Sequence, residues 1–465
     1  MNENIKTILW IAVAVLFATA AWAIQPIEED LSQFTNLSGK QLFPDFKKVA
    51  DLEKIELLTP TKGIRQFYGL QLKKGAEGNW ELATSGGYPA FIDKSMPPLL
   101  EELADLTVIE VVDTKEEIQA SSLDDVHKAY GLLEPTPSNR EYGVEGIGRL
   151  VRLKDNQGKI VLKLIIGNQV RNSLENCYVR IPEQDQVYVV AIDPFKIHDR
   201  FVDWADVDLL GINPLEVSGM TLQEFQIVKN ERVQQAVIAP KIAHSVELDG
   251  AIWKLKKRFN FVGSEPVEET IEPDEYLETA LITDIRDHLG SIEIRGVLPK
   301  SKDFENDLVQ GKDISRNQQN VNALGQWGMM IQPLGNGGYT ILPQSGGLRV
   351  RLTNGLEYYL MFGNARDAQR NARGELTNKL KRVMLVSVGT TVALPTLHDL
   401  PEDPEEKAKV ELENNRLLDA YYAQKEATEK LAKSENARFA PWVYEISDET
   451  YRTLMPRSKE LVKKL

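Results

Sequence analysis

The chain has 465 residues, 42% of them hydrophobic and 27% charged, with a formal net charge of −14 and a single cysteine. That length allows two or three domains with real cores, and the composition is ordinary for a folded protein. The acidic balance argues against nucleic acid as a partner, which needs Lys/Arg clusters to displace counterions from phosphates, and a lone Cys177 excludes both an intramolecular disulfide and a cysteine-based zinc site.

The first element is the apolar run of residues 7–24, TILWIAVAVLFATAAWAI, preceded by Lys6 and followed by Glu28, Glu29 and Asp30. Its length lies between a signal-peptide core and a thin transmembrane helix. Ala21-Trp22-Ala23 fits a small-x-small cleavage site, whereas the weak basic flank and the length favour a retained anchor. A lysine before the run and acids after it orient the N-terminus inside. Residues 1–26 are therefore expected to be a transmembrane anchor or signal peptide. They would engage the cytoplasmic (inner) membrane through residues 7–24 as a single pass, with an extracytoplasmic or periplasmic body. Residues 27–48 read as a polar linker.

Residues 49–212 read as a first α+β unit. Strands are expected over residues 54–58 and 67–73, and Gly75 and Gly78 turn the chain into a short return strand bearing Trp80. Pro97 and Pro98 are tolerated in the first turn of a helix that places Leu99, Leu103 and Leu106 on one face. A strand over residues 107–112 and a polar helix over residues 123–129 follow, the helix ending at Gly131 as its cap. Two hairpins come next, residues 150–153 with 160–166 around Gly158, and residues 178–181 with 186–190. Cys177, at a strand start, reads as half-buried. A helix over residues 194–204 closes the unit.

Residues 213–465 repeat this order as a second α+β unit. Strands are expected over residues 225–228 and 251–255. A helix starting at Pro273-Asp274 carries Leu277, Leu281, Ile285 and Leu289 at spacings of four, and a strand follows over residues 291–297. Residues 334–339 form a hairpin turn, residues 348–352 and 356–362 a hairpin around Gly355, and residues 384–388 match residues 178–181. The two units share marker residues: Tyr130-Gly131-Leu132 with Trp327-Gly328-Met329, Gly167 with Gly363, and Val187-Tyr188 with Val443-Tyr444. Gly131 to Gly158 and Gly328 to Gly355 are both separated by 27 residues. A duplicated scaffold explains this agreement. Trp80 and Trp253, at equivalent positions, read as shared core residues. The units differ at one turn, where the second carries an insertion over residues 390–438. Most of it is a long charged helix with a patchy stripe of Val410, Leu417, Tyr421 and Leu431.

The chain offers little recognisable chemistry. The glycines of residues 143–148 are in the wrong order for a dinucleotide fingerprint and lead into a strand. His127, His198, His244, His288 and His398 are scattered without ligand spacing, and no Gly-x-Ser-x-Gly elbow occurs. Asp203, Asp206 and Asp208 lack the loop glycine and terminal glutamate of a calcium hand, and read as a helix-end cluster. The expectation is no catalytic, cofactor-binding or metal residue, no cofactor and no enzyme activity.

The Trp-bearing strand, Tyr88-Pro89-Ala90, the Leu-rich helix, Tyr130-Gly131-Leu132, Ile166-Gly167, Tyr178-x-Arg180 and Val187-Tyr188 together resemble the domain-of-unknown-function family 4340. The closing stretch of residues 436–448 resembles versions from planctomycete-like bacteria. The second unit departs from the family pattern by lacking the Tyr-Pro-Ala element and by its insertion. The resemblance implies a membrane-anchored extracytoplasmic protein, some relatives being encoded beside gliding-type ABC-transporter subunits. The expected function is thus a non-catalytic, membrane-tethered scaffold or accessory protein, with an ABC-transporter permease or another envelope protein as partner. The alternatives are an extracytoplasmic glycan- or peptide-binding module and, behind it, an acid-pair glycan hydrolase.

Overall fold

The computed structural model describes residues 37–46, 52–60, 67–112, 122–136, 139, 146–173, 175–230, 235–334, 338–366 and 380–464. The expected anchor at residues 7–24, residues 27–36, 47 and 48 of the expected linker, and residues 143–145 of the 143–148 loop lie outside the described residues. Among the described residues no helix is long and apolar enough to cross a membrane.

The architecture is α+β, and the strand ladders described are antiparallel. The chain first lays down β1 (Leu52–Pro60), β2 (Phe67–Lys74), β3 (Trp80–Leu82), β4 (Tyr88–Pro89), α1 (Met96–Ala104), β5 (Val108–Val112) and α2 (Leu123–Ala129). It continues through β6 (Arg149–Asp155), β7 (Ile160–Gln169), β8 (Asn176–Arg180), β9 (Val187–Ala191) and α3 (Phe201–Trp204). These strands form a nine-stranded sheet in the order β4-β3-β2-β1-β6-β7-β8-β9-β5.

The second half runs β10 (Val217–Asn230), β11 (Gln235–Asp249), β12 (Ile252–Val262), β13 (Glu265–Glu269), β14 (Glu275–Leu277), α4 (Thr279–Leu289) and β15 (Ile294–Pro299). Then come α5 (Lys302–Val309), α6 (Gln318–Gln326), β16 (Met329–Pro333), β17 (Tyr339–Pro343), β18 (Gly347–Leu352), β19 (Leu356–Arg366) and β20 (Lys381–Thr390). The chain ends with α7 (Pro404–Phe439), β21 (Trp442–Ser447), α8 (Asp448–Leu454), α9 (Ser458–Leu461) and β22 (Val462–Lys464). The second nine-stranded sheet has the order β13-β12-β11-β10-β18-β19-β20-β21-β15.

The two sheets follow one path, strand for strand. They share registers as well: Val179 lies opposite Tyr188, as Met384 lies opposite Tyr444. Val111 pairs with Tyr188, as Val297 pairs with Tyr444. A bulge interrupts β5 between Val108 and Glu110, and the corresponding bulge interrupts β15 between Ile294 and Gly296. By internal contacts the chain divides into two compact units. One holds the described residues within 1–50, 100–152 and 160–196; the other holds those within 51–99, 153–159 and 197–465.

Four consecutive residues are buried in β9 (Val187 to Val190) and in β21 (Val443 to Ile446), so those strands are covered on both faces. In the second sheet Phe304, Ile314 and Leu324, supplied by α5, a 3₁₀ turn and α6, pack with Met329, Tyr359, Met361, Val383, Leu385 and Val443. Each such side chain contributes about 1.5–3 kcal/mol when removed from water.

The marker glycines do two different jobs. Gly131 and Gly328 sit just past α2 and α6 at φ 71° and 77°, while Gly158 and Gly355 sit in hairpin turns at φ 78° and 88°, all in the left-handed region that side chains avoid. Gly167 and Gly363 are small because something comes close. A Cβ there would strike the carbonyl oxygens of Tyr130 and Trp327 respectively. Those same carbonyls accept the backbone N–H of Asn168 and Asn364, each at 2.9 Å. The Asn168 and Asn364 amides then cap the carbonyls of Ala129 (3.4 Å) and Gln326 (3.0 Å), otherwise orphaned at the helix ends.

Several expectations are corrected. The helix over residues 194–204 is broken into a 3₁₀ turn, Pro194–Lys196, and α3, because the His198 carbonyl is taken by the Trp204 indole at 2.7 Å. The helix expected from Pro273 starts at Thr279, since Glu275–Leu277 pair instead with β22. Strand β11 was not expected; its Pro240 pairs with Phe225 and stands next to a bulge at Lys241, the kind of position where a strand tolerates proline. Cys177 is fully buried, and burial pushes its thiol up to about 11. Trp253 is buried in β12, but Trp80 is only half-buried, with the Lys74 ammonium 5.7 Å from its ring.

Candidate functional site

The first sheet turns from β8 to β9 through residues 181–186, whereas the corresponding link between β20 and β21 takes residues 391–441. That link is a two-limbed arm. An extended limb leaves β20, and a 36-residue helix, α7, returns to β21. The helix begins where local chemistry favours it. The Asp403 carboxylate accepts the N–H groups of Glu405 and Glu406, both at 3.0 Å, Pro404 occupies the first turn, and the two glutamates complement the helix dipole. At about 1.5 Å per residue the helix spans about 54 Å. Spacings of four along its exposed face hold ion pairs such as Glu426–Lys430 at 2.7 Å.

Two asparagines join the limbs. The Asn436 side chain accepts the Val388 N–H at 2.8 Å and donates to the Val388 carbonyl at 2.6 Å. Asn414 does the same for His398, with both bonds at 2.8 Å. Each amide thus pairs with one residue of extended backbone as a neighbouring strand would. The distances agree: ten residues of extended chain cover about 33 Å, and 22 residues of helix cover about 33 Å. The limbs therefore run antiparallel and in step from root to tip.

The root is where the arm is buried. Thr428, Ala432 and Phe439 are the buried residues of α7. The Thr428 hydroxyl donates to the Asn354 carbonyl at 3.0 Å, and the Phe439 ring meets Tyr444 and Tyr358 edge-on. Lys300, 8% exposed, donates to the carbonyls of Phe439 (3.2 Å) and Trp442 and so satisfies acceptors at the end of α7. Burial, only partly countered by Glu305, pushes its ammonium down to about 7.

The outer arm is different. No residue of α7 before Thr428 is buried, and Leu394, Leu397 and Leu400 on the extended limb are 68%, 41% and 50% exposed. Their three-residue spacing, in a limb that contains Pro395 and Pro401, is the period of a polyproline II segment and sets them along one edge. Asp399, Glu402, Asp403, Glu405 and Glu406 cluster at the tip. The expected stripe is only partly buried: Val410, Leu417 and Tyr421 are half-covered and Leu431 is exposed. The residues that fasten the arm are polar ones, Asn414, Thr428 and Asn436, which a search for apolar periodicity passes over. Their shared helix face is the signal that would have revealed them.

The other candidates are held in structural roles. His127 Nε2 lies 2.9 Å from the Asp185 carbonyl, and burial pushes its imidazole down. His288 caps the carbonyl of Asp284 in its own helix at 2.8 Å, and the exposed His398 is held through its backbone. His198 supplies the carbonyl taken by Trp204. His244 is buried in β11, and burial followed by the neighbouring Arg258 guanidinium pushes it down to about 4. Asp203 is paired with Arg200 at 2.7 Å, while Asp206 and Asp208 accept the N–H groups of Asp208 and Gly211. Among the described residues no three His, Cys, Asp or Glu side chains are grouped to hold a metal ion. Arg180, buried in β8, donates to the carbonyls of Leu132, Pro182 and Gln184 and so braces the short β8–β9 turn.

Compared with known proteins, the chain matches the family model described as a domain of unknown function (DUF4340) over residues 80–309, from Trp80 in β3 to Val309 at the end of α5. No curated protein and no solved structure matches it.

Proposed function

We propose, on the premise that this chain belongs to the DUF4340 family through residues 80–309, that it is a non-catalytic, membrane-tethered scaffold or accessory protein acting outside the cytoplasmic membrane. In this reading the apolar run of residues 7–24 is the tether, with the N-terminus inside. The two equivalent sheets are a duplicated frame, and the arm between β20 and β21 is the part that meets a partner. An ABC-transporter permease, or another envelope protein, is that partner.

The observation that carries the reading is the asymmetry of the arm. One sheet closes its β8–β9 link in residues 181–186, so the shared fold does not require a 36-residue helix at this point. The outer arm buries none of its helical residues and leaves leucines in water, which is costly unless something else covers them.

The test uses the full chain in mild detergent. Replacing residues 394–424 with a short Gly/Ser loop joins the limbs where they already lie side by side and keeps the Thr428–Phe439 root. Purification of the unaltered chain should recover a permease that the shortened chain does not. Equal recovery by both forms would remove the arm from the proposal, and recovery of no membrane protein by either would sink the scaffold. Pelleting with membranes after an alkaline wash tests the tether. Release into the wash would contradict it.

A further inference from the structure

A second feature lies away from the arm, beside the bulge in the β10–β11 ribbon. The bulge sets two residues, Pro240 and Lys241, against the step from Glu224 to Phe225, and Lys241 is the residue left without a cross-strand partner. Its side chain lines an open cavity of about 550 Å³, together with Phe225, Tyr451, Met455, Arg457 and Lys459. Glu224 is the carboxylate of the lining, and it is already engaged. One oxygen accepts the Ser458 N–H at 2.6 Å, and the other pairs with Lys241 at 3.5 Å.

Arg457 and Lys459 are different. No carboxylate among the described residues pairs with either. With the Lys241–Glu224 pair neutral overall, the lining carries two uncompensated positive charges in a chain of net charge −14. The floor is organised from below. The Arg382 guanidinium stacks on the Tyr451 ring at 4.1 Å, donates to the Ser345 hydroxyl at 2.9 Å and pairs with Asp448 at 2.7 Å, while its buried Nε has no partner. The Tyr451 hydroxyl donates to the Ser345 carbonyl at 2.7 Å. Gly346, at φ 112°, leaves room for the Met455 methyl that forms part of the wall. The cavity thus joins two free cations to an aromatic and thioether surface held in place by hydrogen bonds.

We propose that this cavity binds a phosphate ester, with the dianionic phosphate between Arg457 and Lys459 and its organic substituent against Tyr451, Met455 and Phe225. An arginine fork matches phosphate oxygens in paired hydrogen bonds, a lysine adds a mobile point charge, and a charge of two on each side is complementary. A soluble ester and a lipid phosphate headgroup offer the same chemistry, and the two are separable by experiment.

Phenyl phosphate is titrated into the full chain in detergent and followed by calorimetry, with inorganic phosphate and phenol as the two halves of the probe. Phenyl phosphate should bind more tightly than either half, and more weakly as salt is added. Short-chain phosphatidic acid and short-chain phosphatidylcholine, titrated into the same full chain in detergent, test the lipid source. Binding to the phosphatidic acid alone assigns the site to lipid, and binding to phenyl phosphate alone assigns it to a soluble ester. Arg457→Gln and Lys459→Gln, both exposed and free of ion pairs, should each weaken binding about tenfold, the scale of one charge-assisted hydrogen-bond set. Lys433→Gln on α7 is the charge-matched control and should change nothing. No binding of either probe, or binding that survives both cavity substitutions, overturns the proposal. The chain with the shortened arm should bind as well as the parent, so the site stands or falls independently of the scaffold.

Discussion

Two buried basic side chains tie the stability of this protein to pH in a readable way. Lys300 has its ammonium pushed from 10.5 down to about 7 by burial, so between those values the unfolded chain holds a proton that the folded chain has released. Its contribution is therefore present above pH 10.5 and lost as pH falls through about 7. The unfolding free energy of the parent, relative to Lys300→Met, should rise across that window in denaturant titrations; a constant difference would contradict the assignment. His244 has the same sign at lower pH, pushed from 6.5 to about 4. Its stabilisation is present above pH 6.5 and fades as pH falls through 4. His244→Phe should flatten the acid limb of the stability curve in that interval, as measured by thermal unfolding from pH 7 to pH 4. Trp80 and Trp253 show why equivalence in sequence is a weak guide to burial. They occupy matching strands, yet one is half-covered beside Lys74 and the other lies inside.

At the scale of elements, the duplicated helix-to-strand junction makes a paired prediction. Gly167→Ala and Gly363→Ala each drive a methyl into the carbonyl of the aromatic residue ending α2 or α6, so both should destabilise by about 1–3 kcal/mol, measured by chemical denaturation. A neutral result in either would mean that the close approach is not needed. The β8 and β20 registers place Arg180 where the second sheet has Leu385. The difference follows the loops. Arg180 satisfies the carbonyls of a tight turn, whereas β20 leads into the arm and Leu385 instead joins the core beneath α5 and α6. Arg180→Leu should therefore cost about 1–3 kcal/mol, because three carbonyl acceptors lose their donor. Within the arm, Asn414→Ala should speed hydrogen exchange at the His398 amide while leaving global stability within about 0.5 kcal/mol, since it fastens only an exposed limb. Unchanged exchange would mean that the limbs are joined by other means.

At the scale of the whole molecule, the folded frame and the arm should be separable. Removing residues 394–424 takes away no buried helical side chain, so the shortened chain should still unfold cooperatively with its Tm lowered by less than about 4 °C. Loss of folding would show that the arm is a structural strut. Some features are written in a few adjacent residues. The four left-handed glycines, the α2 helix from Leu123 to Ala129 and the repeated order of strands were legible because turn geometry, capping and alternation act locally. Other features exist only once distant segments meet. Pro240 argues against a strand until the bulge at Lys241 in β11 forms beside it, and residues 275–277 follow a helical spacing yet pair with β22. Two asparagines 22 residues apart look like ordinary polar surface until an extended limb runs beside them. In the cavity, Lys241, Tyr451 and Arg457 are brought together by chain segments more than 200 residues apart. Each of these depends on a partner distant in the chain, and a pairing free energy that exists only in the folded state leaves no local pattern to read.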